Sequence, residues 1–302
     1  MRHSRAIPSI FILAAVLLAP YGSSTARPVE ASRLEAARKD VEQVIAGSGA
    51  DVAVVLRTLD GKDQMELRHE ESFHAASTMK LGVMLELFRQ AHAGTIHMDD
   101  AIPVANEFHS VVDGNVFHLD PGDDSDEAPY KKVGSTMTAR ELCEHMITRS
   151  SNLATNLMME RLGIANIQRT VNRNGGRGLK IVRVLEDQKA FEEGINNTTT
   201  AEALAGLLER IAKGKAVGRE ASGEMIAILI RQEFREAIPA GLPPGTVVAH
   251  KTGEITRIHH DAAIVYAPRP FVLVILVRGI EKKEESAGLM AKITRILYGA
   301  VE

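Results

Sequence analysis

Apolar residues recur along this chain in two different patterns, which predict strands near both ends and helices between them. Five segments are apolar or β-branched runs bounded by turn residues such as Asp60-Gly61, and we expect them to be strands. They are residues 51–59, 64–73, 246–250, 261–266 and 271–278. Their short connections favour antiparallel pairing within one sheet.

Helical spacing of apolar residues predicts the other elements. Two amphipathic segments, residues 31–45 and 285–298, are suited to cover the sheet. The remaining helices are predicted at residues 81–90, 138–149, 154–162, 167–174, 200–211 and 220–236. Strands first, helices in the middle and strands last predict an α/β fold of the α+β type. It has an antiparallel sheet of about five strands, flanked by helices, with an inserted all-α subdomain.

The first 26 residues have the composition of a secretory signal peptide. Arg2 and Arg5 precede a mostly apolar stretch, and Ser24-Thr25-Ala26 offers the small residues of a cleavage site. The stretch is short against the roughly 20 apolar residues that span a bilayer, which favours cleavage over retention as an anchor. We therefore predict a secreted or periplasmic protein that has no membrane association after cleavage. Its single domain is predicted at residues 27–302, with an α/β part at about 27–75 and 212–302 and a helical part at about 76–211.

Charge and cysteine content narrow the classes of partner. The chain has 36 Lys and Arg against 39 Asp and Glu, a balance that does not favour nucleic acid or an anionic membrane surface. The single cysteine, Cys143, cannot form an intramolecular disulfide, and its helical surroundings favour a small core residue over a nucleophile. We expect a monomer that acts on a small molecule.

Two polar clusters contain residue types that can bind metal ions. Residues 106–134 form a long polar stretch with an acidic run, but the run lacks the Glu that closes an EF-hand loop, which favours a solvated loop. The group His259-His260-Asp261 has neither a cysteine nor the helical His spacing of zinc sites. We therefore predict no metal and no cofactor.

Three short motifs carry the candidate chemistry, and the first is Ser77-Thr78-Met79-Lys80. Ser77 opens a predicted helix, so Lys80 lies one turn away on the same face. A serine hydroxyl needs a neighbouring base to act as a nucleophile, and Lys80 can accept or relay that proton once its pKa is lowered. The alternative is that Ser77 only caps the helix and Lys80 points to solvent.

The other two motifs are Ser150-Ser151-Asn152 and Lys251-Thr252-Gly253. The former lies between two predicted helices, from which Ser150 and Asn152 can reach into a cleft. The latter lies at the end of the strand predicted at residues 246–250. Its glycine lets a substrate backbone approach closely, and its lysine and hydroxyl can hold a carboxylate.

Taken in order, the three motifs resemble those of the penicillin-recognising serine enzymes, and specifically the class A β-lactamases. Residues 149–156, RSSNLATN, resemble that family's S-D-N segment and the helix that follows it. The resemblance covers most of the chain after the signal peptide. It implies a β-lactamase/transpeptidase-like fold and an acyl-enzyme reaction on a β-lactam or a cell-wall peptide-like substrate.

The resemblance also implies catalytic roles. Ser77 is the acylated nucleophile, Lys80 the base or proton relay, and Ser150 the donor of a proton to the β-lactam nitrogen. Class A enzymes activate the deacylating water with a Glu about three dozen residues after the serine of the second motif. Glu186 stands 36 residues after Ser150, while Glu192 is a second candidate that lies close to the following helix.

Substrate contacts are implied for five residues. Asn152 contacts the side-chain amide of the substrate, and Lys251 and Thr252 hold its carboxylate. Gly253 allows its close approach. The backbone N–H of Glu254, together with that of the nucleophile, forms the oxyanion hole.

Several positions depart from the family's pattern. In the second motif, Ser151 replaces an Asp. In the loop that carries Glu186, Val184 replaces an Arg, Asp187 a Pro, Ala190 an Asn and Asn197 an Asp. After the third motif, Glu254 replaces a small residue. Because most of these affect the loop that activates water, acylation is better supported than release. Three hypotheses stay open: β-lactam hydrolysis, which leads; a D,D-peptidase or esterase of the same architecture; and a non-catalytic sensor of cell-wall fragments.

Overall fold

The structure is a computed structural model that describes residue 1 and residues 26–302, with side chains from residue 33 onwards. The predicted signal peptide therefore lies outside the described residues except at its two ends. Within the described part of the chain, no helix is long and apolar enough to cross a membrane.

Five strands form one antiparallel sheet, as predicted, in the order β2-β1-β11-β10-β9. The strands of the described residues are β1 (Asp51–Thr58), β2 (Gln64–Leu67), β3 (Phe73–His74), β4 (Ala101–Pro103), β5 (Phe108–His109), β6 (Val116–Phe117), β7 (Thr136–Thr138), β8 (Thr198–Thr199), β9 (Val247–Ile255), β10 (Ile258–Tyr266) and β11 (Phe271–Arg278). The short strands pair as β3–β8, β4–β7 and β5–β6. The ends of the chain thus build the sheet together, because β1 pairs directly with β11.

Helices cover both faces of this sheet, which confirms the predicted architecture. The helices of the described residues are α1 (Ala26–Ser48), α2 (Lys80–His92), α3 (Ala139–Thr148), α4 (Asn152–Leu162), α5 (Ile164–Arg173), α6 (Gln188–Glu192), α7 (Ala201–Ala212), α8 (Arg219–Ile230) and α9 (Lys283–Val301). The pair α1 and α9 packs on one face, while α7 packs on the other against β1, β10 and β11.

The apolar core has two parts, one on each face of the sheet. Val54 and Ile275 face the layer of α1 and α9, where Leu297 is fully buried. Val55 faces the other way, into a larger core that continues through the helices and includes Met158. Burial of one such side chain contributes roughly 1.5–3 kcal/mol, so these two parts supply most of the driving force for folding. The division at about residues 76 and 212 stays a prediction.

The prediction of one strand over residues 64–73 is wrong beyond Leu67, where β2 ends. Arg68 adopts a left-handed conformation with φ 47°, and the N–H of Glu71 donates to its carbonyl, so the chain turns away from the sheet. Phe73 and His74 pair with β8 instead. After this second pairing, the chain continues into the first motif, Ser77–Lys80, which lies beside the edge strand β9.

Two other predicted bounds are also wrong. The helix predicted at residues 220–236 ends at Ile230, because the side chain of Gln232 donates to the carbonyl of Ile147 and leaves the helical path. Strand β9 continues to Ile255, so Lys251-Thr252-Gly253 lies inside the strand and not at its end. Inside a strand, alternate side chains of this motif point to opposite faces.

Candidate active site

Ser77 lies on a 3₁₀ turn, Ala76–Met79, that runs directly into α2. Ala76 has a left-handed φ of 44°, and its N–H donates to Nδ1 of His74 at 3.1 Å. Burial lowers the pKa of His74 to about 4, so its ring is neutral at pH 7 and Nδ1 can accept. This contact fixes the backbone immediately before the serine.

Lys80 is fully buried, which contradicts the alternative of a solvent-facing lysine. Its Nζ donates to the carbonyl of Ser150 at 2.5 Å and to Oδ1 of Asn152 at 2.9 Å, and lies 3.2 Å from Oγ of Ser150. Burial lowers the pKa of Lys80 to about 7, against the opposing charges of Asp124 and Glu186. Lys80 is therefore far more readily neutral near pH 7 than an exposed lysine, and its neutral form can accept a proton.

Lys251 reaches the same hydroxyl from the sheet. Its Nζ lies 3.0 Å from Oγ of Ser150 and 2.8 Å from the carbonyl of Thr252. Burial lowers the pKa of Lys251 well below its usual value, and the positive charge of Lys80 adds to that effect. The hydroxyl of Ser150 is thus flanked by the amines of two of the predicted site residues.

Gly253 allows β9 to pass very close to the 3₁₀ turn. A Cβ atom at this position would lie 3.0 Å from the backbone nitrogen of Thr78 and 3.1 Å from that of Ser77. The backbone of β9 therefore runs beside the N–H of Ser77, where the oxyanion hole was expected. The side chain of Glu254 points away from this contact and forms an ion pair of 2.6 Å with Lys283.

Glu186 lies in the segment of residues 182–197, which we call the 182–197 loop. Its Oε1 accepts from Nδ2 of Asn152 at 3.1 Å, so Asn152 contacts both Lys80 and Glu186. Burial raises the pKa of Glu186, although the charges of Arg183 and Lys80 oppose this. The other candidate, Glu192, is exposed on α6 and accepts from Gln188.

Backbone strain is concentrated in this region. Ser150 and Glu186 have left-handed φ values of 62° and 60°, as Ala76 has on the 3₁₀ turn. A residue other than glycine in this conformation costs on the order of 1–3 kcal/mol, and such residues cluster at functional sites. All three flank or belong to the predicted catalytic set.

Hydrogen bonds close the base of the 182–197 loop, where an Arg and an Asp of the family's pattern are replaced by Val184 and Asn197. Oδ1 of Asn197 accepts from the N–H of Val182 at 2.8 Å, and its Nδ2 donates to the carbonyl of Arg183 at 3.0 Å. The guanidinium of Arg183 donates to the carbonyl of Ile195 at 2.7 Å and to Oδ1 of Asn196 at 2.9 Å. The departures at Val184 and Asn197 thus leave the base of the loop closed.

Two further contacts hold the part of the loop that carries Glu186. The amide of Asn156 accepts from the N–H of Leu185 at 2.8 Å and donates to its carbonyl at 3.0 Å. Asp187 accepts from Oγ of Ser110 and from the N–H of Val111, each at 2.9 Å. The side chain that replaces the family's Pro therefore ties the loop to its neighbour.

The prediction that the acidic stretch of residues 106–134 is a solvated loop is wrong in part. Asp126 is only 4% exposed and bonds to His145 at 2.5 Å. Asp124 lines the cleft and accepts from the N–H groups of Asn152 at 2.8 Å and Leu153 at 3.0 Å. Sequence reasoning missed Asp124 because its partners lie in another segment, and only the length of the stretch indicated a role.

The candidate site opens into one cleft with two adjoining parts, and Ser77, Asn152 and Glu254 line both. The part beside the 182–197 loop has a volume of about 260 Å³, and the part beside Asp124 about 410 Å³. Together they can accept a small molecule.

The two histidines of the group His259-His260-Asp261 contact other protein atoms. His260 donates from Nε2 to the carbonyl of His74 at 2.9 Å, and Nδ1 of His259 lies 2.9 Å from Oγ of Ser286. A separate group of suitable ligands, Glu66, His69 and Glu202, is exposed only in part. The guanidinium of Arg57 binds both of its carboxylates and so takes the place of a cation there.

Comparison with known proteins gives one consistent result. The chain is 24% identical to a β-lactamase of Bacteroides uniformis over 90% of this chain and 94% of that one, and 28% identical to a β-lactamase of Streptomyces albus G over 56% of each. Its fold is similar to that of PBP-A (TM-score 0.77, 24% identity, 88% and 96% of the two chains). It is also similar to that of an ancestral class A β-lactamase (TM-score 0.75, 23% identity, 87% and 99%). A family model described as the β-lactamase enzyme family matches residues 36–301. The chain therefore belongs to the β-lactamase enzyme family.

Proposed function

We propose that this protein is a secreted class A β-lactamase that opens the β-lactam ring through an acyl-enzyme on Ser77. The observation that carries the proposal is the position of Asn152, whose amide bonds to both Lys80 and Glu186. One side chain thus joins a lysine suited to acylation to a carboxylate suited to deacylation. The β-lactamase activity of the relatives named above supports the substrate class.

Acylation follows from the two lysines around Ser150. Neutral Lys80 takes the proton of Ser77, whose oxygen attacks the lactam carbonyl carbon. The N–H groups of Ser77 and Glu254 stabilise the oxyanion. The C–N bond then breaks, the ring nitrogen takes the proton of Ser150, and a protonated lysine replaces that proton. Lys251 and Thr252 hold the substrate carboxylate meanwhile.

Deacylation uses the carboxylate of Glu186. Glu186 takes a proton from a water molecule, and the resulting hydroxide attacks the ester carbonyl. The bond to Ser77 breaks, the oxygen of Ser77 recovers the proton that Glu186 had taken from water, and Glu186 is again ionised, which frees the enzyme. A raised pKa suits this role, because a stronger base accepts the proton of water more readily.

A D,D-peptidase or esterase of the same architecture is the second candidate. The fold is similar to that of PBP-A, of which one mutant has been captured as an acyl-enzyme complex with penicillin G, so this fold can hold a β-lactam covalently. Ala190 in place of the family's Asn favours this second candidate, because a fully buried methyl group cannot orient water. In that case β-lactams would remain on Ser77.

Intact-mass spectrometry with a simple penicillin tests these proposals. We expect a transient mass increase of one penicillin and rapid return to free enzyme, with both lost in Ser77→Ala. Ser72→Ala, which changes an exposed serine of the same segment, is the matched control and should behave like the wild type. A stable adduct would favour the second candidate, and neither adduct nor hydrolysis would overturn the β-lactam proposal.

A further inference from the structure

Asp124 is half-buried against the first turn of α4. Its Oδ2 accepts from the N–H groups of Asn152 at 2.8 Å and Leu153 at 3.0 Å, and from the hydroxyl of Tyr130 at 2.9 Å. The first N–H groups of a helix have no partner within the helix, and they stabilise a negative charge. These three donors fix Oδ2, and Oδ1 of the same carboxylate accepts from the N–H of Asp126 at 3.2 Å.

Ser151, the residue just before α4, supplies no negative charge to the start of this helix. The second motif has Ser151 where the family's pattern has Asp. The hydroxyl of Ser151 caps the helix by accepting from the N–H of Ala154 at 3.3 Å, and it lies 3.4 Å from Asp124. The negative charge at the start of α4 comes instead from Asp124, which lies 27 positions before Ser151 in the chain.

The turn that Asp124 holds provides the polar contacts of Lys80. The carbonyl of Ser150 and Oδ1 of Asn152 accept from its amine, and Nδ2 of Asn152 donates to Glu186. Asp124 makes its shortest bond to the N–H of Asn152. It thus fixes the residue that joins the lysine to the glutamate.

The charge of Asp124 also acts on Lys80 directly. The charged groups around this amine are Asp124, Glu186 on the 182–197 loop and Lys251 on β9. Asp124 raises the pKa of Lys80 against the larger effect of burial. Without that charge, the pKa of Lys80 falls further below its usual value.

We propose that Asp124 is a positioning residue of the active site that takes the place of the acidic residue absent from the second motif. It holds the turn of Ser150 and Asn152 against Lys80 and places a negative charge beside that amine. This inference rests on the proposed function in so far as Lys80 activates Ser77.

The test is the pH dependence of Ser77 modification in Asp124→Asn. An alkyl fluorophosphonate serves as the probe, because it forms a phosphorus–oxygen bond to an activated serine and releases fluoride whatever the natural substrate. We expect the plateau rate to fall on the order of 100-fold, since small displacements of positioned groups cost that much. We also expect the acid limb of the profile, set by Lys80, to move to lower pH.

Two further variants make the test specific. Asp120→Asn removes a charge from the same stretch but keeps a cap for the Pro121–Asp123 turn, and should leave rate and profile unchanged. Ser151→Asp alone should lower thermal stability, because it buries a second carboxylate beside Asp124. The exchange Asp124→Ser with Ser151→Asp should recover part of the rate, and it tests the inference if Asp124→Asn does not fold.

The outcomes separate this inference from the proposed function. An unchanged rate in Asp124→Asn, a lower plateau with an unmoved acid limb, or an exchange variant no faster than Asp124→Ser would each overturn the role of Asp124. A wild type that reacts with the fluorophosphonate but not with penicillin would overturn the proposed substrate and leave Asp124 supported by its own variants.

Discussion

The hydroxyl of Ser150 lies within 3.2 Å of the amines of both Lys80 and Lys251. Burial lowers the pKa of both lysines, and the charge of Lys80 disfavours that of Lys251. Two charged amines around one small hydroxyl repel each other, so uptake of a proton by one lysine favours its release by the other. This arrangement suits the proposed mechanism, in which a proton passes through Ser150 from Ser77 to the leaving group.

The role of Glu186 is tested by Glu186→Gln. Because the amide cannot take a proton from water, we expect deacylation to slow by roughly 10²–10⁴-fold. Acylation should be affected much less, so penicillin should accumulate on Ser77 in an intact-mass time course.

The control for this experiment is Glu192→Gln, which changes the other candidate of the same loop. Glu192 is exposed and contacts Gln188, and its variant should turn over penicillin like the wild type. If Glu192→Gln accumulated the adduct and Glu186→Gln did not, the assignment of the water-activating base would be reversed.

From the sequence alone, the candidate residues with distinctive spacing could be proposed. Ser77 and Lys80 share one motif, and their proximity follows from helical geometry alone. Asp124 and Asn156 could not be predicted in the same way, because their partners are backbone groups of distant segments. A backbone partner leaves no mark in the sequence, so an acidic residue in a polar stretch looks the same whether it faces solvent or an active site.

At the level of elements, the 182–197 loop is held largely by hydrogen bonds from neutral side-chain amides to the backbone. Side-chain amides of Asn197 and Asn156 bond to the backbone at its base and beside Glu186. Neutral amide bonds to backbone do not depend on the ionisation of either partner. The conformation of this loop should therefore be less sensitive to salt than one closed by an exposed ion pair.

Asn156→Ala tests the importance of these bonds. It leaves the N–H and carbonyl of Leu185 without their partner, which we expect to lower the free energy of unfolding by about 1–3 kcal/mol. The position of Glu186 should loosen as well, so deacylation should slow more than acylation in single-turnover measurements.

Asn172→Ala is the matched control, since Asn172 is an exposed residue that contacts Gln168 on α5. Its unfolding free energy should stay within about 0.5 kcal/mol of the wild type. Equal loss of acylation and deacylation in Asn156→Ala would contradict a specific role of this asparagine in holding Glu186.

Element prediction succeeded where periodicity decides and failed where side chains compete with it. Strand β11 has the predicted bounds, because every residue of this central strand except its last is buried. Strand β2 ended early at a turn set by the left-handed Arg68, and α8 ended early where Gln232 binds another helix. Such terminations depend on tertiary partners, which a local apolar pattern does not contain.

At the scale of the whole molecule, buried histidines couple stability to pH. Burial lowers the pKa of His260 to about 4, while the unfolded chain takes up the proton near 6.5. The unfolded state therefore binds more protons between these values, and stability falls as the pH is lowered through this window. Over the whole window this residue alone contributes a loss on the order of 3 kcal/mol.

Urea denaturation between pH 6.5 and 5 measures this effect above the range in which most carboxylates titrate. His260→Gln does not titrate, so its unfolding free energy should depend less steeply on pH than that of the wild type, even if it is lower at pH 7. His97→Gln, which changes an exposed histidine, should keep the wild-type slope. Equal slopes in all three proteins would contradict the prediction for His260.

The pairing of β1 with β11 has a consequence for how the chain folds. Asp51 lies opposite Arg278, so the centre of the sheet joins residues separated by most of the sequence. Contacts between distant residues close large loops and slow folding. The cleft itself needs β9, which precedes β11 by only a short hairpin and a strand. A nascent chain that has not yet reached residue 247 thus has Ser77 and Lys80 but no β9 to place beside them, and the cleft is complete only after β9, β10 and β11 have been synthesised.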